Sequence, residues 1–84
     1  MSASTPLSES DARLLEFAEK APRSPAARDE AVTRALGISA VRYHQRLNRL
    51  LDDPAAAAAH PTLVSRLRRI RDQRAESRER AKSG

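Results

Sequence analysis

The sequence predicts an all-α fold: a small helical domain of four to five helices that contains a helix-turn-helix and ends in a basic C-terminal helix or tail. Three observations carry this expectation. The chain has 84 residues with one Tyr, one Phe and no Trp, so Leu and Ala must fill the core; Val, Ile and Thr are too few to favour a sheet. Apolar residues recur at helical spacing between breaks marked by Ser, Pro and Gly. Residues 29–51 read as helix, three-residue turn, helix, the spacing of a helix-turn-helix.

Residues 1–7 read as a loose leader, 8–71 as the helix-turn-helix domain, and 72–84 as a basic, partly disordered extension. Ser8, with Asp11 three residues on, resembles a capping box and opens a first helix to about Ala21. Leu14, Leu15, Ala18 and Ala21 form its buried stripe, with Phe17 beside them. Glu9, Asp11, Glu16 and Glu19 give it an acidic outer face. Pro22 ends it. The second helix starts either at Ser24-Pro25, a cap followed by proline at the first helical position, or nearer Arg28. Val32, Ala35 and Leu36 are its apolar positions. Gly37 then supplies the left-handed backbone that ends a helix, Ile38 pins the turn, and Ser39 caps the next helix.

The helix 40–51 divides into three faces at about 100° per residue. Ala40, Tyr43, Leu47, Leu50 and Leu51 are apolar; Val41, His44, Gln45 and Asn48 form a second face; Arg42, Arg46 and Arg49 form a third. A core face, a face of donors and acceptors, and a cationic face are what a major-groove recognition helix requires. An ordinary amphipathic helix with a solvated polar side shows the same pattern, and the charge distribution tips the balance toward DNA. Residues 1–30 carry four basic and six acidic side chains (−2), residues 31–61 four and two (+2), and residues 62–84 eight and three (+5). Fourteen of the sixteen cations are arginine, which GC-rich codon usage alone can produce. Codon usage does not separate acids from bases along a chain, and a basic end favours a polyanion.

Asp53 and Pro54 open a short helix through Ala59, an alanine spacer that lets two helices approach closely; a small-residue dimer contact is the weaker alternative. His60, at the break before Pro61, is expected as an exposed turn residue. The last helix docks through Leu63, Val64, Leu67 and Ile70. Beyond Arg71 the chain is polar all round, held as helix only by pairs such as Glu76–Arg80, and should fray without a partner.

A stretch of about residues 14–71 resembles a family of small actinobacterial proteins classed as a domain of unknown function. The matching runs are Gly37-Ile38-Ser39-Ala40-Val41-Arg42-Tyr43, then Leu47-Asn48-Arg49-Leu50-Leu51-Asp52-Asp53-Pro54-Ala55, then 61–71 from Pro61 to Arg71. The resemblance implies a helix-turn-helix core, a basic C-terminus and DNA binding, with no established activity. This chain departs from it at Ala21-Pro22-Arg23, where relatives carry bulky aromatics, and at Arg46, where an apolar residue is commoner. The turn Leu36-Gly37-Ile38-Ser39 is also similar, locally, to that of sigma-factor promoter-reading domains, with Thr33 at the usual small position.

The leading expectation is therefore a small transcriptional regulator that binds double-stranded DNA sequence-specifically. Ser39, Ala40, Val41, His44, Gln45 and Asn48 would face the bases. Arg42, Arg46, Arg49, Arg66, Arg68, Arg69, Arg71, Arg74 and Arg78 would hold phosphates. Two alternatives are a non-specific architectural DNA binder led by the tail, and an adaptor for RNA polymerase or a sigma factor that uses the acidic first helix. A homodimer stays open, although residues 63–70 give at most two heptads. No enzyme is expected: there is no nucleophile with a base, no glycine-rich phosphate loop and no paired-carboxylate pocket. Without cysteine, and with His44 and His60 far apart, neither a metal site nor a cofactor is expected. Residues 1–7 lack a signal-peptide pattern and no stretch is apolar enough to span a membrane, which gives a cytoplasmic, nucleoid-associated expectation.

Overall fold

Four of the five helices begin where a side chain can satisfy a free N–H group of the first turn. The computed structural model describes residues 7–83. It contains α1 (Glu9–Lys20), α2 (Pro25–Leu36), α3 (Ala40–Leu50), α4 (Pro54–Ala59) and α5 (Pro61–Ser83), with no strand among the described residues. Ser8 Oγ accepts from the Asp11 N–H at 3.1 Å, and Ser39 Oγ from the Arg42 N–H at 3.2 Å. Asp53 Oδ1 accepts from the Ala55 N–H at 2.9 Å. Ser24 caps α2 with Pro25 in its first turn, so of the two possible starts the earlier one is used.

The stops follow from backbone chemistry. Ala21, which precedes Pro22, lies in extended conformation (φ −63°, ψ 143°), because a proline ring excludes the helical backbone before it. Gly37 has φ 68° and donates to the Thr33 carbonyl at 3.0 Å, which closes α2. Among the described residues it has the only positive φ.

The core draws on every helix: Leu14 and Leu15 of α1, Val32 of α2, Tyr43 and Leu50 of α3, Leu51 after it, Ala56 of α4, and Leu63 and Val64 of α5. Helices α1, α2 and α3 pack against one another, and α4 packs along α5. Phe17 meets the Tyr43 ring edge-on, with centroids 5.5 Å apart and planes at 83°. Ala56 is fully buried, as expected of a spacer between closely placed helices.

Several expectations change at this level. Ala35 is exposed, so α2 buries Val32 and half-buries Leu36 instead. Ile70 is 38% exposed, because α5 has passed the edge of the core after the half-buried Leu67. Beyond Arg71 the helix continues to Ser83. No Gly or Pro interrupts residues 62–83, and Arg80 pairs with Glu76 at 3.7 Å. The expected acidic face of α1 is also rearranged. Asp11 and Glu19 turn toward neighbouring helices, and Glu9 and Glu16 share the exposed side with Arg13 and Lys20. Glu19 Oε2 lies 2.9 Å from His60 Nδ1, so His60 is a contact between α1 and the start of α5 and not an exposed turn residue. The leader expected over 1–7 lies mostly outside the described residues.

A Cβ built on Gly37 meets nothing within 4 Å, so the cost of a side chain there is backbone strain alone. Gly37→Ala is expected to destabilise the fold by about 1–2 kcal/mol in urea denaturation, and Gly37→Asn by less, since Asn tolerates the left-handed region.

Candidate nucleic-acid interface

The roll of α3 about its own axis decides which of its side chains reach solvent. Tyr43 and Leu50 are buried, and Leu47 and Arg46 flank them half-buried. The opposite arc is exposed and carries His44, Asn48, Val41, Gln45, Arg49 and Arg42. Val41, near the middle of that arc, is 68% exposed, an apolar side chain set among polar ones. The side chains of Arg42, Gln45 and Arg49 make no hydrogen bond or ion pair among the described residues.

The other base-facing candidates are partly committed within the domain. Ser39 spends its hydroxyl acceptor on the α3 cap, and Ala40 is half-buried. His44 stacks edgewise against Tyr43 at 5.1 Å and places Nε2 3.6 Å from Asp29 Oδ1 on α2. That carboxylate oxygen is buried and otherwise without a hydrogen-bond partner, as is Arg28 Nε on the same helix. Burial pushes the Tyr43 hydroxyl above its ordinary range, against the pull of the neighbouring Arg28 charge. Asn48 Oδ1 accepts from Arg71 Nη1 at 3.2 Å.

The arginines sort into two groups. Arg46 does not join Arg42 and Arg49 on a phosphate-facing side. It lies about 40° further round the helix, toward Tyr43 and Leu50, and reaches α1. Its Nη2 donates to Ser10 Oγ at 2.8 Å and Asp11 Oδ1 at 2.9 Å. Arg46 is thus accommodated by a polar contact with the first helix. Arg68 Nε donates to the Leu51 carbonyl, and Arg71 grips Asp52 with two bonds of 3.2 and 3.1 Å. Arg66, Arg69, Arg74 and Arg78 are exposed on α5 with no partner among the described residues. With Arg42 and Arg49 they are, among the described side chains, the cations of α3 and α5 without an internal partner.

The cluster of Asp52, Arg71 and Asn48 was not foreseen from sequence. It joins positions nineteen or more apart, which no local spacing encodes. Hydrogen bonding from Arg71 holds the Asp52 carboxyl below its usual range, against an opposing desolvation and with the Arg71 and Arg68 charges adding to the lowering. Asp52 in turn raises the Arg71 guanidinium. Among the described residues no group of three His, Asp or Glu could hold a metal ion. No helix there is long and apolar enough to cross a membrane.

Fold and surface together define a class: a small all-α domain that presents one helix with a mixed polar and cationic outer face, beside a long arginine-bearing helix. The chain belongs to the family described as a protein of unknown function (DUF3263), which matches residues 6–79. No curated protein and no solved structure matches it.

Two outcomes are expected of these contacts. The Asp52 carboxyl should titrate below the ordinary Asp value of about 3.9, and Arg71→Ala should return it there, as read by side-chain carboxyl NMR shifts. Since the shift is downward, what the pair adds to stability is present above that ordinary value and fades as pH falls through the lowered one. For Arg46 and Asp11, with side chains 23% and 31% exposed, a double-mutant cycle should give a coupling of about 1 kcal/mol.

Proposed function

We propose that this protein binds double-stranded DNA sequence-specifically, as a small transcriptional regulator associated with the nucleoid. In this reading α2, the turn 37–39 and α3 act as a helix-turn-helix, with α3 in the major groove. The observation that carries it is the outward arc of α3, where Val41 and Gln45 sit between Arg42 and Arg49 on one side and Asn48 and His44 on the other. A glutamine can read adenine through one donor and one acceptor, and an exposed valine can meet a thymine methyl. The two arginines, which lie on the same side of that arc, suit phosphates on one wall of the groove, and they fix position without reading sequence. The unpartnered arginines of α5 extend the cationic surface beyond α3.

The adaptor alternative loses support, because the acids it relied on are partly engaged: Asp11 with Arg46 and Glu19 with His60. A non-specific binder remains an outcome of the test.

Fluorescence anisotropy on a selected duplex and on random duplex, each titrated in salt, tests the proposal. Binding should weaken linearly in log salt. Among the described side chains Arg42, Arg49, Arg66, Arg69, Arg74 and Arg78 are the unengaged cations on α3 and α5. If all of them contact phosphates, the log–log slope approaches about −5. Gln45→Ala should narrow the gap between selected and random DNA by about 1–3 kcal/mol. Equal affinity for both duplexes would leave a non-specific binder. No binding at low salt would refute the proposal.

A further inference from the structure

The contact between Arg71 and Asn48 constrains what Asn48 can offer a base. An asparagine amide ordinarily has two faces to choose between, since a half-turn about its last torsion exchanges the oxygen and the NH₂ group. A guanidinium carries five N–H donors and no acceptor, so only the oxygen can face it. Arg71 Nη1 donates to Asn48 Oδ1 at 3.2 Å, and that choice is dictated by chemistry. Arg71 is itself held: its two terminal nitrogens donate to the two carboxylate oxygens of Asp52 at 3.2 and 3.1 Å. Fork-on-carboxylate pairing fixes the plane as well as the position of the guanidinium. Asp52 lies just beyond the end of α3 and Asn48 one turn before it, so one arginine from α5 ties both to the same place.

From this arrangement we infer that Arg71 is a positioning residue that sets the base preference of Asn48. With its oxygen occupied by a charged donor, Asn48 presents its two Nδ2 hydrogens to the groove. The base edge that fits two donors is guanine, which offers N7 and O6, both acceptors. Adenine requires the asparagine oxygen to accept from its N6 amine as well; the second lone pair of the oxygen leaves room for that bond, but the guanidinium charge beside it disfavours a further donor. Asn48 alone would therefore read adenine, and Asn48 held by Arg71 is shifted toward guanine. The inference rests on the proposed entry of α3 into the major groove, and it assigns a role in specificity to a residue expected only to hold phosphate.

Binding-site selection from a randomised duplex pool, with the full chain, tests this. In the unsubstituted protein one position should favour guanine over adenine by about tenfold. Asn48→Ala should flatten that position and leave the others, which identifies it. Arg71→Met keeps much of the side-chain length and removes the donors; it should turn the same position toward adenine while preferences elsewhere hold. Asp52→Ala, which frees the guanidinium, should move it partway in the same direction, and circular dichroism establishes that each variant is folded. An even loss of affinity without a change of preference, or a preference unaffected by Arg71→Met and by Asp52→Ala, would overturn the role of Arg71 and leave the DNA-binding proposal standing. Absence of any base preference in the unsubstituted protein would overturn sequence-specific reading and this inference together.

Discussion

The burial of Tyr43 is the constraint on which the rest of this molecule turns. It is the largest fully buried side chain, and it sits on the helix that also carries the candidate contact face. A helix side chain has a fixed direction from its axis, so seating Tyr43 against Phe17 fixes the roll of α3. Once that roll is set, Leu50 must be inside and Val41, Gln45 and Arg49 must be outside. An aromatic ring gains more from burial than any aliphatic side chain in this core. The chain's one other large aromatic, Phe17, is only half-buried and packs against Tyr43, so no second fully buried aromatic competes with it. The outer face of α3 is thus a consequence of core packing as much as of its own sequence.

Polar contacts complete what the aliphatic core begins. α1 is held to α3 by Arg46 and to the start of α5 by His60, while Arg68 and Arg71 hold α5 across the end of α3. The Arg68 bond satisfies a carbonyl left free at the end of a helix, one of the groups that must find a partner outside the ladder. These contacts lie at the edges of the core, where their charges keep some access to water and desolvation costs are small. They set where the helices sit relative to one another, and the apolar residues supply most of the stabilisation.

Much of the fold was legible in the chain because its signals are local. Ser8, Ser24, Ser39 and Asp53 cap the helices expected of them, and Gly37 takes the left-handed conformation its position demanded. Each of these depends on a few neighbouring residues. Periodicity also separated Tyr43 and Leu50 from Val41 and Gln45. It failed at the borders of faces, where a residue can turn either way. Arg46 sits on such a border, and only the arrival of Asp11 from α1 decides its direction. Ile70 kept the apolar spacing of α5, but spacing does not tell where the surface beneath a helix ends. His60, Arg68 and Arg71 found partners far away in sequence, and a pattern search over neighbouring residues has no access to them.

The charge gradient along the chain acquires a different meaning in three dimensions. By sequence the first thirty residues are acidic, which suggested a negative face opposite a positive one. In the folded molecule Asp11 and Glu19 are spent on Arg46 and His60, and the exposed side of α1 mixes Glu9 and Glu16 with Arg13 and Lys20. That side is near neutrality, so it neither attracts a basic partner nor strongly repels a polyanion. The positive excess lies elsewhere, because the cations of α3 and α5 that do have internal partners are a minority: Arg42, Arg49, Arg66, Arg69, Arg74 and Arg78 remain free of them. A charge screened over about 10 Å at moderate salt acts mainly on what is nearest to it. The field relevant to an approaching anion is therefore that of α3 and α5 themselves, and it is positive on the helices where the side chains proposed to read bases are also exposed.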